Sequence, residues 1–230
     1  VNRAGHGVFF HQIGELWAIV WYTYLQDGSP VWYIATGPRP AAAKGSWVAP
    51  LLRFTWDGNA SASTVVGEAT ITPTATDRFV YSWVLDGIWA SESFEPTGTI
   101  ACAPVTGSNT SVAGSWFAPS KPGYGFNIVT SPASEAMTAY VYDADGNPRW
   151  LLGGSSTPGT GTVSLTQFLG FCPTCAFTPI QANAAGTLSR TYASATAATA
   201  ALAIPFSAPA RGSWSSDHPI SKITATLPCQ

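Results

Sequence analysis

Charged residues are scarce in this 230-residue chain. Asp, Glu, Lys and Arg make up 10% of it, against about a quarter in an average soluble protein. The formal net charge is only -2, so the chain has no basic surface for nucleic acid and no polybasic segment for an anionic membrane. The low net charge and the 46% hydrophobic content also exclude an intrinsically disordered protein.

Long apolar runs are lacking too. The longest, Leu16–Tyr24, has nine residues, whereas a helix that spans a bilayer needs about 20. We therefore expect no transmembrane segment. The scarcity of charge leaves two interpretations open: an extracellular protein with a neutral, polar surface, or a subunit whose charge-poor faces are buried in a homo-oligomer or a larger assembly.

Residue sets that carry out chemistry are also missing. The three histidines are not part of a His-Glu-x-x-His motif or of a Cys/His cluster that would bind zinc. Asp217-His218 follows two serines, but the Gly-x-Ser-x-Gly motif of hydrolases is absent. Asp143 and Asp145 are spaced like calcium ligands, yet the later ligands of an EF-hand are not there. We therefore expect no enzyme activity, no cofactor and no metal site.

One pattern does occur twice, 118 residues apart. The segments Gly5–Trp32 and Gly123–Trp150 align without a gap, and both contain Gly-x-Gly, then Tyr-x-Tyr, then Asp-Gly-x-Pro-x-Trp. Two copies of one unit of small-domain size are expected, over residues 1–104 and 105–230. By the same offset, Gly114-Ser115-Trp116 would have its counterpart just before Val1, so we expect the chain to start inside its first repeat.

Strand signals dominate both units. Leu16–Tyr24 is rich in aromatic and β-branched residues, and Asp27-Gly28 separates it from a second such run, Val31–Ile34. Asp-Gly between two such runs is typical of a β-hairpin, and Asp145-Gly146 repeats it. Further short runs between turns have the spacing of sandwiches and barrels. The sequence predicts an all-β fold of two tandem antiparallel units, with barrel and sandwich both open.

The repeated pattern resembles a repeat found in secreted proteins of Gram-negative bacteria, most of them uncharacterised. The resemblance covers the aligned segments of the two units, and the first copy departs from it, because Leu25 stands where the second has Asp143. It implies a secreted β-module of bacterial origin. It supplies no catalytic residues.

Four cysteines in a Thr- and Ser-rich β-protein indicate disulfides and an oxidising compartment. Three pairings exist, and we expect Cys172 with Cys175 and Cys102 with Cys229. The Cys-x-x-Cys spacing also occurs in redox motifs, but those open a helix in an α/β unit, so a structural disulfide is favoured here. We expect a secreted, periplasmic or cell-surface location.

Aromatic side chains are the remaining candidates for a function. In a strand, Trp17, Ile19 and Trp21 share one face and Tyr22 and Tyr24 the other. One face belongs to the core; the other is either buried between the units or exposed as a platform for sugar rings or a protein partner. The candidate ligand-binding residues are Trp21, Tyr22, Tyr24, Trp32, Tyr140, Tyr142 and Trp150.

Two functions are therefore expected. The first is a non-catalytic binding module that engages a glycan or cell-envelope component through aromatic side chains. The second is a structural subunit of an extracellular assembly or filament.

Overall fold

The computed structural model describes residues 5–41, 45–76, 78–96, 105 and 110–226. Every regular element in these ranges is a β-strand, and all strand pairs are antiparallel. The expected all-β fold of two antiparallel units is confirmed. Within the described residues, no helix has the length and apolarity needed to cross a membrane.

The described residues of the first unit form an open sheet of seven strands in sequential order. Its strands are β1 (Gly7–Ile13), β2 (Leu16–Tyr24), β3 (Pro30–Pro38), β4 (Trp47–Trp56), β5 (Ser61–Pro73), β6 (Phe79–Leu85) and β7 (Ile88–Phe94).

The second unit is a closed barrel of eight strands, in which the last strand pairs with the first. Its strands are β8 (Gly114–Phe117), β9 (Gly125–Ser131), β10 (Ser134–Tyr142), β11 (Pro148–Ser155), β12 (Thr162–Leu169), β13 (Gln181–Tyr192), β14 (Ala197–Pro205) and β15 (Ser213–Lys222). The choice between barrel and sandwich is thereby decided for this unit. The expected boundary between residues 104 and 105 falls between β7 and β8 and stays a prediction.

The strands β1–β7 correspond one to one with β9–β15. The aligned segments place β1, β2 and β3 on β9, β10 and β11. Further along, Gly67 and Gly186 mark the same position in β5 and β13. A Cβ atom at either would lie within 2 Å of a carbonyl oxygen on the following strand, that of Val84 or Ala203. Only β8 has no counterpart among the described strands of the first unit.

Strand alternation sends the two faces of the first unit into two different cores. Ile19, Trp21 and Tyr33 point inward and pack with residues of β4, β5 and β6. Tyr22 and Trp32 point outward into a cluster shared with the second unit. The expected division of Trp21 and Tyr22 between opposite faces of β2 is therefore what the structure shows, and both faces are buried.

The β2–β3 and β10–β11 hairpin turns each accept a backbone hydrogen bond from the opposite unit. The Trp56 amide donates to the Gly146 carbonyl at 2.9 Å, and the Gly170 amide donates to the Gly28 carbonyl at 3.0 Å. Both turn glycines have positive φ angles. A Cβ atom on Gly146 would lie 2.0 Å from the Trp56 carbonyl oxygen, so this turn requires glycine for its close approach as well as for its φ.

We predict that Gly146→Ala lowers the free energy of unfolding by about 2 to 4 kcal/mol, because it adds overpacking against the other unit to the cost of a positive φ. Gly14→Ala is the matched control, since Gly14 also has a positive φ but open space around its Cβ position. This control is expected to lose about 1 kcal/mol. Urea denaturation measures both, and equal losses would contradict the proposed contact.

Candidate functional site

The seven aromatic residues predicted as a ligand platform are all buried. Trp21 lies inside the first unit, against Tyr33, Tyr81 and Trp83 at ring-centroid distances of 4.8–5.5 Å. The other six, Tyr22, Tyr24, Trp32, Tyr140, Tyr142 and Trp150, lie between the two units. None of them presents a ring face to solvent, so the alternative of an exposed platform is wrong at these positions. Trp21 is a core residue, and the other six form an interface between the units.

This interface is nearly symmetric. Trp32 packs against Tyr140 and Tyr142 with centroids 5.5 and 5.7 Å away, and Trp150 packs against Tyr22 and Tyr24 at 5.7 and 5.6 Å. These are equivalent residues of the repeat with the units exchanged. The two hairpins are thus related by a pseudo-twofold axis.

The two indole groups at the interface also exchange equivalent hydrogen bonds. Trp32 Nε1 donates to the Val141 carbonyl at 3.3 Å, and Trp150 Nε1 donates to the Thr23 carbonyl at 2.9 Å. Each buried N–H therefore has its acceptor on the opposite unit, as buried tryptophans require.

An open cleft of about 540 Å³ lies at one side of this interface. It is bounded by the end of β4 and its following turn, by the β10–β11 turn and by the start of β15. The lining residues are Trp56, Asp57, Gly58, Lys121, Asp143, Ala144, Asp145, Gly146, Ser213, Trp214 and Ser215. The sequence gives no signal for Trp56, Lys121 or Trp214, because they lie outside the repeated pattern and far apart in the chain.

Aromatic rings and an ammonium group form one wall of the cleft. Trp56 packs edge-on to Trp214 with centroids 5.7 Å apart and stacks on Tyr142 at 5.6 Å. The Lys121 ammonium lies 5.5 Å from the Trp56 ring and 4.9 Å from that of Trp214, which is cation–π distance. The buried Nε1 of Trp214 has no acceptor among the described residues. This wall combines apolar area with one positive charge.

Two exposed carboxylates flank the aromatic wall. Asp57 Oδ1 accepts hydrogen bonds from the amides of Ala60 and Asn59, both at 2.8 Å, and these bonds lower the pKa of Asp57. Asp145 lies 3.6 Å from Arg211 in an exposed ion pair. The cleft therefore presents negative charge at its rim and a positive charge over its rings.

Asp143 has a structural role at the back of the cleft. Its Oδ1 accepts from the amides of Asp145 and Asn147, and its Oδ2 pairs with the buried Arg149 at 2.7 Å. Arg149 also donates to the Pro30 carbonyl of the other unit at 3.1 Å. The ion pair orders the turn instead of leaving a free carboxylate. Among the described residues no group of three acidic, His or Cys side chains could hold a metal ion.

The equivalent place on the other side of the pseudo-twofold axis is filled. The segment between β12 and β13 is longer than the turn between β4 and β5, and it brings Phe171 against His6 and Tyr24, with centroids 4.5 and 6.5 Å apart. This segment contains the Cys172–Cys175 disulfide, which confirms that expected pair. Cys102 and Cys229 lie outside the described residues, so their expected pairing stays a prediction.

A buried ionic cluster joins β10, β13 and the β11–β12 loop in the second unit. Burial by itself would raise the pKa of Glu135, but hydrogen bonds from Arg190, the Gly159 amide and Tyr192 outweigh it and hold the pKa below its usual value. Arg190 also donates to carbonyls of the β11–β12 loop. Every partner here is satisfied within the cluster, so we assign it to stability and not to ligand binding.

A second polar network joins the units near β1. Asn127 donates to the Tyr22 hydroxyl at 2.6 Å, and its Oδ1 lies 3.1 Å from His11 Nε2. Burial lowers the pKa of His11 to about 4, although the hydrogen bond to Asn127 acts in the opposite direction. The ring is therefore neutral at pH 7 and carries its proton on Nε2.

We predict that stability falls as the pH drops from 7 to 5 and that His11 causes much of this loss. The His11 imidazole binds a proton near pH 6.5 in the unfolded chain, but only near pH 4 in the folded chain. Protonation of His11 between pH 7 and pH 5 therefore favours the unfolded state. The expected loss is about 1 to 2 kcal/mol. Urea denaturation of His11→Gln should show a smaller pH slope, and an unchanged slope would contradict the assignment.

Comparison with protein-family models, curated proteins and solved structures gave no match. The expected resemblance to a secreted bacterial repeat therefore depends on the residues of the repeat alone. The class that the structure defines is an all-β protein of two repeated units joined through an aromatic interface.

Proposed function

We propose that the protein is a non-catalytic binding module that holds a glycan in the cleft between its units. The observation that carries this proposal is the partly exposed indole ring of Trp56, with the buried Trp214 behind it, the Lys121 ammonium over both rings and the exposed carboxylates of Asp57 and Asp145 beside them. The binding residues differ from those expected from the sequence.

The chemistry of the cleft suits a sugar. A pyranose ring has an apolar face that packs on an aromatic side chain and hydroxyl groups that need donors and acceptors around its edge. The Asp57 and Asp145 carboxylates are acceptors, Lys121 is a donor, and Ser213 and Ser215 add hydroxyl groups at the rim. The cleft volume is also within the usual range for small-molecule sites, about 300 to 1,000 Å³.

Charge states in the cleft favour binding over hydrolysis. Glycoside hydrolysis needs one carboxylic acid with a raised pKa to protonate the leaving group. The pKa of Asp57 is lowered by its backbone hydrogen bonds, and Asp143 is paired with Arg149. Asp57 is therefore not suited to donate a proton at neutral pH.

A setting outside the cytoplasm fits this role. The Cys172–Cys175 disulfide is compatible with an oxidising compartment. The scarcity of charge is compatible with a neutral surface that contacts polysaccharide. Secretion and bacterial origin remain part of the proposal.

The test is a glycan array followed by calorimetry on the best binder. We predict that the double variant Asp57→Asn, Lys121→Gln weakens binding at least tenfold, which corresponds to about 1.4 kcal/mol. Asn keeps the turn hydrogen bonds of Asp57, so the fold should be retained, with a melting temperature within about 3 °C of the parent.

Trp89→Ala is the matched control for a general aromatic effect. Trp89 is on β7, away from the cleft, and 68% of its surface is exposed. It should bind as the parent does. Binding lost in Trp89→Ala but kept in the cleft variant would move the site to the first unit, and no binding to any glycan or envelope polysaccharide would remove the proposal.

A structural subunit is the second candidate, and a specific observation favours it. The first unit is an open sheet whose terminal strands, β1 and β7, each have one edge that no described strand covers, and such edges promote association. Ile88 and Trp89 are exposed on β7 beside this edge.

Light scattering over a concentration series tests the second candidate. We predict concentration-dependent association that Trp89→Lys reduces, because a charge on an exposed edge strand opposes pairing. A parent protein that stays monomeric at millimolar concentration would contradict it.

A further inference from the structure

The acidic side chains of the cleft are mostly neutralised by arginine. Asp143 pairs with Arg149 at 2.7 Å, and Asp145 pairs with Arg211 at 3.6 Å. Asp57 is the lining carboxylate that makes no ion pair with a described cation, and it lies exposed at the rim. The unpaired negative charge of the cleft is therefore confined to the turn between β4 and β5.

Lys121 is the corresponding unpaired cation. Its ammonium lies 4.9 Å from the ring centroid of Trp214 and 5.5 Å from that of Trp56, and it forms no ion pair with a described carboxylate. The side chain is partly buried, so its charge is screened less by salt than the charge of a fully exposed lysine. The cleft thus holds one positive charge that the described residues do not neutralise.

A sugar that packs on Trp56 has to share this ring with the Lys121 ammonium. Displacing the ammonium gives up a cation–π contact, and a neutral sugar offers only hydroxyl groups in exchange. An anionic substituent on the sugar offers an ion pair instead, with charge-assisted hydrogen bonds that are roughly twice as strong as neutral ones. This wall of the cleft therefore favours a ring that carries an anion over the same ring without one.

A general attraction between the protein and polyanions would not produce this preference. The formal net charge of the chain is -2, so the long-range field of the protein does not attract anionic chains. A preference for an acidic ligand has to come from Lys121 and the groups around it. The contribution of this one side chain can therefore be separated from that of the overall charge.

We propose that the cleft selects an acidic glycan, in which a carboxylate or sulfate group pairs with Lys121 while the sugar ring packs on Trp56. This inference rests on the proposed function and names the substrate class of the same site. Lys121 is then the residue that determines specificity. Asp57 accepts hydrogen bonds from sugar hydroxyl groups and repels a second anion, so it fixes the orientation of the ring in the cleft.

The test compares each acidic sugar with a neutral sugar of the same shape. The probes are tetrasaccharides of galacturonate, mannuronate and glucuronate, each beside its carboxyl-reduced form, which has the same linkage and stereochemistry. A sulfated galactan tetrasaccharide and its desulfated form are the second arm, and they distinguish sulfate from carboxylate as the anion. Calorimetry should show at least one acidic probe that binds about tenfold more tightly than its neutral counterpart.

Variants of Lys121 assign the preference to its side chain. Lys121→Gln should weaken binding of the acidic probe by about tenfold and that of its neutral counterpart by less than about threefold. Lys121→Arg should keep the preference, because arginine retains the charge and the cation–π contact. Thermal melting of each variant checks that the fold is kept.

Arg39→Gln is the matched control for overall charge. Arg39 is an exposed residue that follows β3, at the opposite end of this strand from Trp56, and it does not line the cleft. This variant loses the same charge as Lys121→Gln, and it should keep the full preference for the acidic probe.

The outcomes separate this inference from the proposed function. Neutral probes that bind the parent protein as tightly as their acidic counterparts would overturn the inference and leave the glycan site in place. A preference that survives in Lys121→Gln would overturn the role of this side chain. The absence of binding to every glycan would remove both proposals. Selective binding of the sulfated probe alone would support the inference with sulfate as the anion. The comparison within the parent protein stays decisive even if a variant fails to fold.

Discussion

The reciprocal insertion of one tryptophan from each unit into the other is the constraint on which the rest of the structure depends. Trp32 and Trp150 each bury an indole among the tyrosines of the opposite hairpin and donate to its backbone. A one-residue shift of register in either hairpin would turn these side chains to the opposite face and break both contacts. The turns at Gly28 and Gly146, and the cleft beside the second of them, follow from this arrangement.

The pseudo-symmetry is broken where the two units differ in sequence, and those differences determine which surfaces remain available. Leu25 and Val31 replace the buried Asp143 and Arg149, so only one turn carries an ion pair. The longer β12–β13 loop fills one side of the interface, whereas the shorter β4–β5 turn leaves the cleft open on the other side. The first unit also has no counterpart of β8 among its described strands. The proposed binding cleft thus arises from a departure from the repeat.

The sequence was sufficient to predict the features that depend on local pattern. A period of two predicted that Trp21 and Tyr22 lie on opposite faces of β2, and Asp-Gly between aromatic runs predicted the hairpins. It failed to decide exposure, because a strand buried on both faces and a strand with an exposed aromatic face have similar sequences. It also missed Trp56, Lys121 and Trp214, which are brought together only by the packing of the units.

The amino-acid sequence by itself determined the all-β class, the duplication and the turn positions, because these follow from side-chain alternation and from the backbone freedom of glycine. Only the tertiary structure decided that the aromatic hairpins face each other, that the second unit is a closed barrel while the described strands of the first form an open sheet, and where a cleft remains. The physical reason is that burial of an outward strand face depends on a partner surface far away in the chain, and no local pattern encodes that partner.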